Sequence, residues 1–242
     1  AFRVCFYDSS QGVKSAEYIV GNNLPTDVAV LYQSDIDYSV GLFAAFEKQA
    51  AEVGINIVEV QTFTEDTKTD FSTQIAAIKD SGVELVFLPI YYNEAATFLT
   101  QAYGMLPEGT FYFGCDGLDG ILDAIADPAH AENVLMLTPF VAEAEDEATK
   151  AFVATYKEQF GNTPNQFAAD GYDAVYTIKA ALEAAEISDC NVEGFNETMV
   201  STMLEIEVTG LTGTMTWDEA GDVQKEAKAM IINDGATSLF GE

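Results

Sequence analysis

Two hydrophobic rhythms alternate along the first 140 residues. Short apolar runs, with almost no polar interruption, are separated by stretches whose apolar positions recur every three or four residues. Phe2 to Tyr7 reads as a strand, and Val13 to Asn22 as a helix. Asp27 to Tyr32 (DVAVLY) is a strand apolar on both faces. Leu42, Phe46, Ala50 and Val53 mark a helix stopped by Gly54, and Ile55 to Gln61 is the next strand. Phe71, Ile75 and Ile78 form another helical stripe, closed by Gly82 before the buried strand Val83 to Leu88. Ala95 to Tyr103 reads as a helix, and Thr110 to Gly114 and Val134 to Thr138 as strands. Apolar strands separated by helices predict a parallel, doubly wound sheet. Ligands of such sheets sit beyond the carboxyl ends of the strands. The segments of interest are therefore Asp8 to Gly12, Gln33 to Tyr38, Tyr91 to Asn93 and Cys115 to Gly117.

After Pro139 the rhythm becomes helical. Glu145 to Phe160, Gln166 to Ala185 and roughly Gly194 to Glu205 read as helices without strands of their own. Their apolar faces predict exposed surface unless something covers them, hence self-association or local disorder. TGTMTW, the turn DEAGD and KAMIIN read as a closing hairpin.

Charge narrows the partners. Forty acidic and ten basic side chains leave a net charge of −30, which repels phosphate backbones and anionic lipid, so nucleic acid is not an expected partner. Arg3 is the sole arginine, so a bidentate guanidinium clamp on a ligand is not available away from that position. Any carboxylate ligand needs backbone N–H groups, hydroxyls or a lysine.

Catalytic and metal motifs are missing. His130 is the only histidine and reads as a surface residue. Asp35, Asp37 and Ser39 imitate the start of a calcium loop, but the required glycine and terminal glutamate are absent. Cys5, Cys115 and Cys190 match no metal or redox spacing; Cys5 and Cys115 read as small buried hydrophobes. Asn196-Glu197-Thr198 is a formal glycosylation sequon. No cofactor or metal site is expected, and the chain reads as a non-enzyme. Tyr38, Tyr91 and Asp116 each follow the carboxyl end of a strand. Two aromatic walls and a carboxylate suit a small ligand with an ammonium group.

Several segments together resemble type I periplasmic binding proteins of the leucine/isoleucine/valine-binding branch: DSSQG (8–12), VAVLY (28–32) leading to DYSVGL (37–42), FTEDTKTDFSTQI (63–75), VFLPIYYNEA (86–95), FYFGCDG (111–117), ADGYDAV (169–175) and GLTGTMTWDEAGD (210–222). The resemblance implies two α/β lobes closing on a ligand, with the family's first third absent. Residues 1–139 and 213–242 would form the second lobe, a doubly wound, mostly parallel sheet. Residues 140–212 would be the helical end of an incomplete first lobe. It further implies an extracytoplasmic, periplasmic or lipid-anchored, component of an ABC importer that hands an amino acid, branched-chain or otherwise apolar, to a membrane permease. A receptor's ligand-sensing domain has the same fold and is the alternative. Tyr38 would line the side-chain pocket, Tyr91 would flank it, and Asp116 with Gly117 would meet the α-ammonium. Phe167 would be an aromatic of the first lobe. The family often carries glutamate where Asp116 stands, which implies a shorter reach here.

Overall fold

A computed structural model describes residues 1–241. The chain divides into two compact units. One comprises residues 1–7 and 139–228, the other residues 8–138 and the described residues from 229 on. The expected lobes divide elsewhere: residues 1–7 and 213–228 belong with the helical segment, for the packing reasons given below.

The larger unit begins with α1 (Asp8–Gly21). It continues through β1 (Asp27–Gln33), α2 (Asp37–Val53), β2 (Asn56–Phe63), α3 (Ser72–Ser81) and β3 (Leu85–Leu88). α4 (Tyr92–Ala102), β4 (Phe111–Gly114), the short α5 (Ile121–Ala124) and β5 (Val134–Thr138) complete the alternating part. β1 lies between β2 and β3, and β3, β4 and β5 follow outward, all in parallel pairing. The sheet order reverses at β1: the chain goes to one side for β2 and crosses back for β3. A crevice beyond the strand ends is expected at such a reversal.

Burial follows the apolar pattern. β3 and β5 are buried at every position, whereas β2, an edge strand, is partly or fully exposed up to its last residue, the buried Phe63. Phe46 of α2 stacks on Phe87 of β3 at 4.0 Å, and both are fully buried. Each such ring stabilises the fold by roughly 1.5–3 kcal/mol relative to exposure. Phe63, Phe71 and Phe98 continue this core through edge-to-face contacts.

The two last strands depart from the expected hairpin. KAMIIN does form a strand, β9 (Lys228–Asn233), but it enters the large sheet beside β5. Its antiparallel partner is β10 (Ala236–Leu239). Asp234 and Gly235 join them, both with positive φ (51° and 74°). Asp-Gly in a two-residue loop is a stronger hairpin signal than DEAGD, because both residues tolerate the left-handed region.

The smaller unit holds α6 (Glu147–Phe160), α7 (Gln166–Ala184) and α8 (Phe195–Met203). β6 (Val208–Gly210), β7 (Gly213–Trp217) and β8 (Val223–Gln224) form a separate antiparallel sheet. The helices therefore do have strands against them. Met215 and Trp217 of β7 and Val223 of β8 pack in one cluster with Ala181 of α7 and Met203 of α8. Phe2 and Val4 pack on the same cluster. Residues 2–7 form no strand, contrary to the sequence reading. Instead the Arg3 N–H donates to Gly221 O at 3.1 Å, and the Arg3 carbonyl accepts the Trp217 Nε1–H at 2.9 Å. Coverage is partial. Val175, Tyr176 and Ile178 of α7 and Val200 of α8 remain exposed.

A buried polar network ties this unit together. The Asp173 carboxylate accepts the N–H groups of Leu211 and Thr212, each at 2.8 Å, and the Thr212 hydroxyl at 2.7 Å. Lys225 Nζ donates to Asp170 Oδ1 at 3.0 Å and to Thr212 Oγ1 at 2.8 Å. Burial pushes the Lys225 ammonium pKa down, and Asp170 opposes that shift.

Candidate functional site

β1, β3 and β4 are consecutive neighbours in the sheet. Parallel neighbours lie about 4.8 Å apart, so residues just past their carboxyl ends fall side by side. That geometry brings together four of the residues expected at the site. Tyr38 stands in the first turn of α2, after β1. Tyr91 caps α4, after β3. Asp116 and Gly117 occupy a 3₁₀ turn after β4.

The tyrosine rings stack at 4.6 Å with planes 10° apart. The Tyr38 hydroxyl donates to Asp116 Oδ1 at 2.7 Å, and the Gly117 N–H donates to the same hydroxyl at 2.9 Å. Gly117 is required by proximity. A Cβ there would come 2.5 Å from the Tyr38 hydroxyl oxygen and 2.7 Å from the Ile90 carbonyl oxygen. The loops after β1 and β3 are joined beneath the rings. The buried Ser39 hydroxyl donates to Pro89 O and accepts the Gln33 N–H at 2.9 Å.

Electrostatics separate the members. Burial raises the Asp116 carboxyl pKa, and the Tyr38 hydrogen bond, with the nearby Gln11 amide and Gly117 N–H, pulls it back. Burial also raises the Tyr38 phenol, assisted by Cys115 and Asp116, so the phenol stays a hydrogen-bond donor at neutral pH. The Cys115 thiol is buried, contacts Ser15 Oγ at 3.6 Å, and is pushed well up by that burial. A protonated, enclosed thiol is a poor nucleophile. The cluster can thus present a carboxylate, half-removed from water, below a stacked aromatic pair: a fitting seat for an ammonium with an apolar body.

Other expectations resolve differently. Phe167 lies in the smaller unit, in the first turn of α7, and is 48% exposed. Cys5 is exposed and outside any strand, so it is no core hydrophobe. His130 is packed rather than free on the surface: its ring lies 4.3 Å from that of Tyr103 and its side chain is 20% exposed. Asp35 braces loops, its carboxylate accepting Gln33 Nε2 and the Glu65 N–H, both at 2.9 Å. Gln11 and Ser39 were not singled out as site residues by sequence reasoning. Both stand in segments flagged there, DSSQG and DYSVGL, but neither type announces a role without knowing what lies across from it.

The family model described as "Periplasmic binding protein" matches residues 1–236. The chain belongs to this family. Among curated members it is 26% identical over 220 residues to the Leu/Ile/Val/Thr-binding protein of Salmonella typhimurium, covering 90% of this chain and 56% of the relative. Among solved members, a leucine-binding protein from Thermotoga maritima matches with a TM-score of 0.80 at 27% identity, over 98% of this chain and 66% of that one. A branched-chain amino-acid transporter substrate-binding protein from Streptococcus pneumoniae, solved with isoleucine, matches with a TM-score of 0.79 at 25% identity, over 97% and 65%. The chain thus spans little more than half the length of that curated relative and just under two thirds of the solved ones.

Proposed function

We propose that this family member is the extracytoplasmic solute-binding component of an ABC importer, not an enzyme. Its ligand is a small α-amino acid with an apolar side chain, which it delivers to a membrane permease. Asp116 receives the ammonium group, and the stacked Tyr38 and Tyr91 pack the ligand's body. The observation that carries this reading is the Tyr38–Asp116–Gly117 arrangement at the sheet reversal, a hydrogen-bonded carboxylate beside two aromatic faces. The names of the relatives support the ligand class. The enclosed, protonated Cys115 favours binding over catalysis. Among the described residues no helix is long and apolar enough to cross a membrane, and the proposed partnership assigns membrane passage to the permease.

Titration calorimetry of the full-length protein tests this with leucine, isoleucine, valine and 4-methylpentanoate, which is leucine without its amine. Saturable heat for at least one amino acid, and none for the des-amino acid, is the expected result. Absence of heat for every amino acid would sink the ligand class.

A further inference from the structure

Asp116 is held from the front by Tyr38, but its backbone is held from behind. Gln11, on α1, is 1% exposed. Its Oε1 accepts the Asp116 N–H at 3.1 Å across 105 residues of sequence. The amide nitrogen of Gln11 is also buried and makes no well-aligned hydrogen bond in the structure. A buried amide donor without a partner loses its hydration uncompensated, so it is either a liability or a reserved contact. Its neighbour Gly12 explains why Gln11 can stand there. A Cβ on Gly12 would lie 2.5 Å from Leu42 O and 2.9 Å from Phe46 N, so only glycine lets α1 approach α2 this closely. One turn further along α1, the Ser15 hydroxyl lies 3.6 Å from Cys115 Sγ.

We propose that Gln11 is the positioning residue for Asp116: it fixes the Asp116 backbone through Oε1 and keeps its buried amide donor for the carboxylate, so that Asp116 is aimed and ionised when an ammonium group arrives. The role rests on the amine-binding reading above. The electrostatics agree in direction, since Gln11 is among the groups that lower the Asp116 pKa against the rise caused by burial. The other groups around the site set the background. Tyr38 from α2 donates to Asp116, while Cys115 is the preceding residue on the chain. Asp8 of α1 acts on both Tyr91 and Cys115, and Glu94 of α4 acts on Tyr91. Both Asp8 and Glu94 are acidic, so Gln11 is a neutral donor in a surround that otherwise disfavours a second negative charge.

The test uses Gln11→Met, which keeps the volume and removes both polar atoms, and Gln11→Glu, which keeps an acceptor but replaces the donor with a second carboxyl. Two readouts are taken on the full-length protein, after matched melting curves show that each variant folds. The first is the titration midpoint of the Asp116 carboxyl, followed by carbon-13 NMR without ligand. The second is leucine affinity against pH. In Gln11→Met the midpoint should rise, leucine binding should weaken by about tenfold at neutral pH, and the acid limb of the binding profile should move to higher pH. Gln11→Glu should lose at least as much. An unchanged midpoint in both variants, with leucine binding intact, overturns the assignment to Gln11 alone. A shifted midpoint in a protein whose wild type binds neither leucine, isoleucine nor valine overturns the amine-binding reading, and the positioning role with it.

Discussion

Replacing Asp116 with asparagine should separate two properties that the carboxylate couples. The Asn side chain still accepts the Tyr38 hydroxyl, so the local geometry survives. Losing one partner of a desolvated charge pair costs roughly 2–5 kcal/mol, so amino-acid affinity should fall by about 30-fold or more, as read by calorimetry. Stability of the ligand-free protein should move the other way. Burial raises the Asp116 pKa in the folded state. Stability from this group is therefore complete below the ordinary carboxylate range and is lost as pH rises through the raised value. At neutral pH the ionised carboxylate burdens the empty protein, and Asp116→Asn should raise its melting temperature there, with the gain vanishing in acid. A variant that loses both binding and stability at neutral pH would contradict this account. Gly117→Ala is expected to be purely damaging. Its Cβ would strike the Tyr38 hydroxyl and the Ile90 carbonyl, and such overpacking typically destabilises by about 1–3 kcal/mol. The denaturant midpoint and the near-ultraviolet dichroism of the tyrosine pair measure it. Tyr38, Tyr91 and Asp116 were legible in the sequence because each immediately follows an apolar strand, and strand ends are where such sheets carry sites. Gln11 was not legible as a site residue. Its role depends on a contact 105 positions away that only the folded chain creates.

Among the elements, the alternating strands and helices between residues 27 and 138 could be read directly, since full burial makes strands uniformly apolar. The short strands could not. β6 and β8 span three and two residues, too few to establish a period of two. Residues 2–7 carry strand-like composition but form no strand; Phe2 and Val4 pack on the helical cluster instead. Position 225 illustrates how the small sheet is tied to α7. Lys225→Met removes a side chain whose ammonium is buried against Asp170 and Thr212. Asp170 would lose the buried ammonium it is paired with, and the expected loss is about 3–5 kcal/mol by chemical denaturation. Adding Asp170→Leu should recover much of that loss, because the carboxylate that lost its ammonium is then gone. A double variant no better than the single would show that the ion pair is not the source of the effect. Val175, Tyr176 and Ile178 leave one side of α7 apolar and exposed. The 242-residue chain by itself is therefore expected to associate as its concentration rises, and light scattering behind a sizing column would show this. A concentration-independent monomer would refute it.

At the scale of the whole molecule, a net charge of −30 means that like charges repel throughout the surface. Raising ionic strength from 0.01 to 0.15 M shortens the screening length from about 30 to about 8 Å, so the melting temperature should climb over that interval. A melting temperature that stays flat or falls would show that self-repulsion is not limiting. Trp217 is the single tryptophan of the chain, and its ring lies in the core that β7 shares with α7 and α8. The stacked Tyr38–Tyr91 pair belongs to the other unit. The indole is thus an optical label for one unit alone, and a single heating run that follows its emission beside the backbone dichroism of the whole chain can reveal whether the two melt as one cooperative block or in sequence.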